Sequence, residues 1–197
     1  MIVEIMRGYD VSKNDAYGLG TAALHALQKI GPSGIPILMD ELTEGTRNGR
    51  RFALSMFQFL KIPKPAIPIL IASVKDDDAF VRRTALTALH TSGLQNIKNV
   101  IETLLDAIQD NDLQIRQLAI NALQLVGPDA KKAVPILITQ LKEGPPENLS
   151  LIVATVATLG KIGPDAKEAI PVLTDLLKTE NTLVRKTVTN ALNRIKK

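Results

Sequence analysis

An apolar pattern at relative positions 0, 4, 7, 8 and 11 recurs six times along this chain of 197 residues. The first three copies read Leu19, Ala23, Ala26, Leu27, Ile30; Gly49, Ala53, Met56, Phe57, Leu60; and Val81, Ala85, Ala88, Leu89, Ser92. The last three read Ile115, Ala119, Ala122, Leu123, Val126; Leu151, Thr155, Thr158, Leu159, Ile162; and Val184, Val188, Ala191, Leu192, Ile195. At 100° per residue these offsets fall within an arc of roughly 100°, which predicts six amphipathic helices, each burying one stripe. Small residues at offsets 4 and 7 let neighbouring helices approach closely. Each of these B helices is paired with a shorter A helix, as in Val100, Ile101, Leu104, Leu105, Ile108 or Ile170, Leu173, Leu176, Leu177.

The punctuation repeats as well. Ile35-Pro36-Ile37-Leu38 returns as Ile67-Pro68-Ile69-Leu70, Val134-Pro135-Ile136-Leu137 and Ile170-Pro171-Val172-Leu173, with 32 residues between the first two and 36 between the last two. Such periods belong to stacked helix–turn–helix arrays. The proline lacks an amide donor, so it either opens helix A or kinks it. Gly-Pro at 31–32, 127–128 and 163–164 stops one helix and starts the next. Asp78, Asp112, Asn148 and Asn181 stand three residues before offset 0, where a side-chain oxygen would cap the free amides of helix B. The expected architecture is an all-α, right-handed α-solenoid of five to six helical hairpins, forming one domain over 1–197. Its units fall near 1–33, 34–65, 66–96, 97–129, 130–165 and 166–197. Ile2, Val3, Ile5 and Met6 align with the middle of a helix A, so a truncated or degenerate first repeat is expected.

Composition narrows the picture. Aromatic residues are only 3% of the chain, with no Trp, which suits thin layers of Leu, Ile, Val and Ala. Cysteine is absent, so disulfides, thiolate metal sites and cysteine nucleophiles are excluded. The net charge of +4 is not concentrated: eight cations face six acids over 1–65, five face seven over 66–127, and eleven face seven over 128–197. No run approaches the roughly 18 continuous apolar residues of a membrane span, and the first 20 residues lack a secretory pattern. A cytoplasmic location is the expectation.

The unit seen best in Ile-Gly-Pro-Asp-Ala-Lys-Glu-Ala-Ile-Pro-Val-Leu (162–173) followed by Leu-Val-Arg-Lys (183–186) resembles bacterial HEAT repeats. More narrowly, it is similar to the short-period repeats of phycobilisome lyases. The resemblance implies the solenoid fold, and it implies an Asp–Arg ladder between successive turns. Such repeats serve many unrelated functions.

Arg50, Arg82, Arg116 and Arg185 recur at offset 1 of helix B, with Glu44, Asp77, Asp110 and Glu180 nearby. They read as rungs of that structural ladder, or alternatively as an anion-reading row. Offsets 2, 6 and 9 point away from the core stripe toward a groove lined by B helices. They are Thr21, His25, Gln28; Arg51, Ser55, Gln58; Arg83, Thr87, His90; Gln117, Asn121, Gln124; Val153, Ala157, Gly160; and Lys186, Asn190, Asn193. Only the row at Val153 is apolar. There Ile152 also replaces the ladder arginine, and Val153, Ala154, Val156 and Ala157 fill positions that are polar elsewhere. Either a partner docks on Val153 and Ala157, flanked by Leu118 and Leu183, or neighbouring B helices cover this one.

His25 and His90 lack converging ligands or acid–base partners, and Asp76-Asp77-Asp78 lacks the spacing of a calcium loop, so no metal, cofactor or catalytic residue is expected. The residues favour a non-enzymatic scaffold that holds a protein segment in the B-helix groove. Arg51, Arg83, Thr87, Gln117, Asn121, Lys186 and Asn190 would supply the polar contacts. The resemblance to phycobilisome lyases implies one alternative, a bilin lyase-like or chaperone activity on a phycobiliprotein. Binding of a nucleic-acid backbone is a further alternative, disfavoured by the neutral Gln117–Gln124 row.

Overall fold

The computed structural model describes residues 25, 29, 31–57, 60, 62–91, 98–144 and 147–197. Among these residues ten α-helices and four 3₁₀ stretches occur, with no strand. The chain is an all-α helical repeat array. It forms two compact units, Met1–Ser92 and Gly93–Lys197. The first holds α1 (Ile35–Glu44), α2 (Arg47–Phe57), α3 (Ile67–Ser73) and α4 (Ala79–Thr91). The second holds α5 (Lys98–Ala107), α6 (Leu113–Val126), α7 (Val134–Glu143), α8 (Leu149–Ile162), α9 (Ile170–Leu176) and α10 (Thr182–Ile195). Odd-numbered helices are the predicted A helices and even-numbered ones the B helices. Each A helix packs on the B helix that follows it. The first copy of the stripe, the segment at Ile2–Met6, and Thr21 and Gln28 lie outside the described residues, whereas His25 is helical and exposed. Gln58, Ser92, Pro145 and Pro146 also lie outside them.

The chain's punctuation works as its chemistry requires. Pro36, Pro68, Pro135 and Pro171 all sit in the first turn of helix A rather than kinking it, because first-turn amides have no carbonyl to bond. Gly31, Gly127 and Gly163 take φ values of 63°, 69° and 78°, a region that L side chains rarely adopt. A Cβ on Gly163 would meet nothing within 4 Å, so conformation and not crowding makes this position glycine. After Gly127 and Gly163 the chain winds through 3₁₀ stretches, Gly127–Ala133 and Gly163–Ala169, before helix A begins.

All four predicted caps form. Asp78 accepts from the amides of Phe80 and Val81 at 3.0 and 3.2 Å, and Asp112 from those of Gln114 and Ile115 at 2.7 and 3.3 Å. Asn148 and Asn181 each accept one amide at 3.1 Å, from Leu151 and Val184. Each cap contributes about 1 kcal/mol by satisfying donors that the helix leaves open.

In the second unit α8 lies between α6 and α10, and the stripes of all three are buried. Two local features set this spacing. The hydroxyl of Thr158 donates to the backbone carbonyl of Ala154 at 2.8 Å and across to that of Ile120 on α6 at 3.2 Å. On the other flank a Cβ added to Gly160 would lie 2.8 Å from the Ala191 Cα, so α8 and α10 meet at a point where only glycine fits. The run Leu149–Leu176 is long and apolar enough to cross a membrane by length and composition. Half of that apolar window is buried among its own neighbours, which accounts for its composition as core.

Candidate functional site: the outer face of the B helices

The offset-1 arginines act on backbone as much as on acids. Each reaches back from the first turn of helix B to the turn leaving helix A. Arg116 donates to the carbonyls of Asp110 and Asn111 at 2.7 and 3.1 Å, and Arg185 to those of Thr179 and Glu180 at 2.7 Å each. Arg82 does the same at Asp76 and Asp77, at 2.9 and 3.2 Å, and Arg50 at Gly45, at 3.1 Å. A turn exposes carbonyls that no helix satisfies, and a guanidinium can meet two at once. Asp110 and Glu180 therefore contribute carbonyl oxygens to these contacts, and Glu44 is absent from them. Arg50 also bridges to the next hairpin through carboxylates, to Asp76 at 2.7 and 3.1 Å and to Asp77 at 2.7 Å. The hydrogen bond it donates to Asp76 and the adjoining negative charges raise its pKa further.

In the first unit the outward arginines are engaged within the fold. Arg51 pairs with the buried Asp78 carboxylate at 2.6 and 3.0 Å. Burial alone would push Asp78 up, but the Arg51 guanidinium and the capped amides of Val81 and Phe80 outweigh it and hold the carboxyl below its usual range. Arg51 and Arg83 also flank the Phe80 ring, each 5.8 Å from its centroid. Thr87 donates its hydroxyl to the Arg83 carbonyl at 3.0 Å.

The second unit brings the remaining predicted residues onto the outer side of three adjacent helices. On α6, Gln117 donates to Asn121 at 3.2 Å and accepts from Ser150 of α8 at 3.3 Å. Next to them on α8, Ile152, Val153, Ala154 and Ala157 are half-buried, whereas Val156 is fully buried. The α6 and α10 helices thus cover the two flanks of α8 but leave its apolar outer face partly open. Leu118 is half-buried, Leu183 is 58% exposed, and Lys186 and Asn190 are exposed on α10. Gly160 does not join the outward row, being buried against Ala191.

Sequence reasoning passed over one row. The stripes at offsets 2 and 6 continue, one turn on, to offset 10: Leu125, Lys161 and Arg194, all exposed. The i, i+4 relation was sufficient to find it.

Repeat period, capped B helices and arginine-fastened turns converge with what the chain matches. The family of HEAT repeats matches residues 67–154. This segment of the chain carries HEAT repeats. No curated protein matches it by sequence. Among solved structures, an engineered protein is similar at a TM-score of 0.66 and 18% identity, over 99% of this chain and 95% of that one. YibA of Escherichia coli is similar at a TM-score of 0.67 and 20% identity, over 99% and 67%. The complex of CpcE and CpcF of phycocyanin lyase from Nostoc sp. PCC7120 is similar at a TM-score of 0.63 and 24% identity, over 82% of this chain and 64% of that one. At such identities these likenesses establish the HEAT-repeat fold alone.

Proposed function

We propose that this HEAT-repeat chain is a non-enzymatic interaction scaffold, with its docking surface on the outer side of α6, α8 and α10. The observation that carries this reading is the partly open apolar face of α8 at Ile152, Val153 and Ala157, bordered by the side-chain amides of Gln117 and Asn121. Half-exposed aliphatic residues on a rigid helical platform lose water when a partner segment covers them, and the preformed platform needs little rearrangement. The similar phycocyanin lyase structure is itself a complex of two proteins, which accords with a protein as the ligand. Arg51 is left out of the surface because its charge is committed to Asp78. A cytoplasmic setting accords with this role.

Capture from lysate on immobilised chain, compared with a Val153→Glu variant, tests the reading. A partner retained by the parent chain and lost from a variant of unchanged helicity supports it; equal retention by both overturns it.

The phycocyanin lyase likeness also favours a second reading, action on a bilin-bearing protein. Against it, no Phe, Tyr or Trp occurs after Phe80, so the second unit offers no ring to stack on a conjugated tetrapyrrole. Absorbance of a bilin mixed with the chain separates the two, since a spectral shift would favour the second.

A further inference from the structure

Charge is sorted between the two sides of the second unit. The B helices α6, α8 and α10 contain Arg116, Lys161, Arg185, Lys186 and Arg194 and no Asp or Glu. Every acid of this unit lies on an A helix or in a connecting turn. Acids there meet cations of the same regions: Lys132 with Glu102, Lys131 with Asp165 at 4.0 Å, and Lys178 with Asp175 at 2.8 Å. Among the described residues the B-helix cations make no such pair. Arg116 and Arg185 give hydrogen bonds to neutral backbone carbonyls.

Spacing by i, i+4, i+8 orders the outer face into three parallel stripes. The α8 stripe runs Val153, Ala157, Lys161, and the α10 stripe beside it runs Lys186, Asn190, Arg194. The α6 stripe ends in the exposed Leu125. An aliphatic centre is thus rimmed by three cations and by side-chain amides, with no acid and no aromatic ring.

Resting on the docking reading above, we propose that the segment docked on this face is an acidic peptide carrying an aliphatic anchor. Carboxylates of the partner meet Lys161, Lys186 and Arg194, while its aliphatic side chain covers Val153 and Ala157. The amides of Gln117, Asn121 and Asn190 can both donate to and accept from the partner's backbone. The surface fits a nucleic acid less well, because single strands are held by stacking on aromatic rings and this unit has none.

The test is selection of a random 12-residue peptide display library on the full chain. Fluorescence anisotropy then follows the top peptide, its Glu→Gln and Asp→Asn counterpart, and a 20-nucleotide DNA. The expected winners are net acidic with a Leu, Ile or Val; the amide counterpart binds at least about tenfold more weakly, and Lys186→Glu or Arg194→Glu weakens binding roughly three- to tenfold each. Winners that are neutral or basic yet lost in Val153→Glu overturn the acidic partner and leave the docking surface standing. No winner sensitive to Val153→Glu overturns both, as does DNA retention abolished by Lys186→Glu when no peptide binds.

Discussion

Replacing Gly160 with Ala sets two effects of opposite sign against each other. Within a helix, Gly→Ala by itself adds about 1 kcal/mol of stability, because alanine confines the unfolded chain and favours helical angles. At this position the new methyl would stand 2.8 Å from the Ala191 Cα and 3.0 Å from its Cβ. The nearer atom is backbone, so relief requires α8 and α10 to separate along their contact. Overpacking of this kind costs about 1–3 kcal/mol. The net expectation for Gly160→Ala is a loss of about 1 kcal/mol, read as a fall of roughly 0.5 M in the urea midpoint followed by circular dichroism. Adding Ala191→Gly removes the 3.0 Å contact but not the 2.8 Å one, so it restores stability only in part. A midpoint that rises in Gly160→Ala would refute the close approach of the two helices.

Two further outcomes follow from neighbouring features. Gly163→Ala is expected to cost about 1–2 kcal/mol of urea stability although no atom lies within 4 Å of the added methyl, because φ there is +78°; an unchanged midpoint would show that the turn readily adopts another conformation. Asp78, held below its usual range, contributes stability that is complete above the unfolded carboxyl value of about 3.9 and is lost as pH falls through its lower folded value. Asp78→Asn keeps a capping oxygen but removes the Arg51 ion pair, so it should cost about 1–2 kcal/mol at neutral pH and flatten the acid limb. An acid limb identical to that of the parent chain would show the pair contributes nothing.

The repeat and the caps were legible in the sequence because each depends on local chemistry at fixed spacing. Asp112 three residues before Ile115 can do little but cap, whereas Pro171 could open helix A or kink it, and the structure places it in the first turn. The 3₁₀ stretches after Gly127 and Gly163 were not legible, since Ala130 and Ala166 lie buried there by tertiary packing rather than by helical periodicity. Partners of the arginines were legible only in part. Their position at offset 1 was plain, but their hydrogen bonds to the carbonyls of the A–B turn depend on how that turn folds back. The apolar row at Val153 was visible as an exception. Whether neighbours covered it required the α8–α10 spacing, which Gly160 sets.

The chain has no tryptophan, so a Val153→Trp variant carries a single reporter at the centre of the proposed docking face. Its fluorescence, recorded before and after addition of a selected acidic peptide, tests the central claim most directly. The free chain is expected to emit as a largely water-exposed indole, with emission moving to the blue as peptide covers it. Blue emission already present in the free chain, and unmoved by peptide, would mean that the α8 face is closed core and contradict the claim.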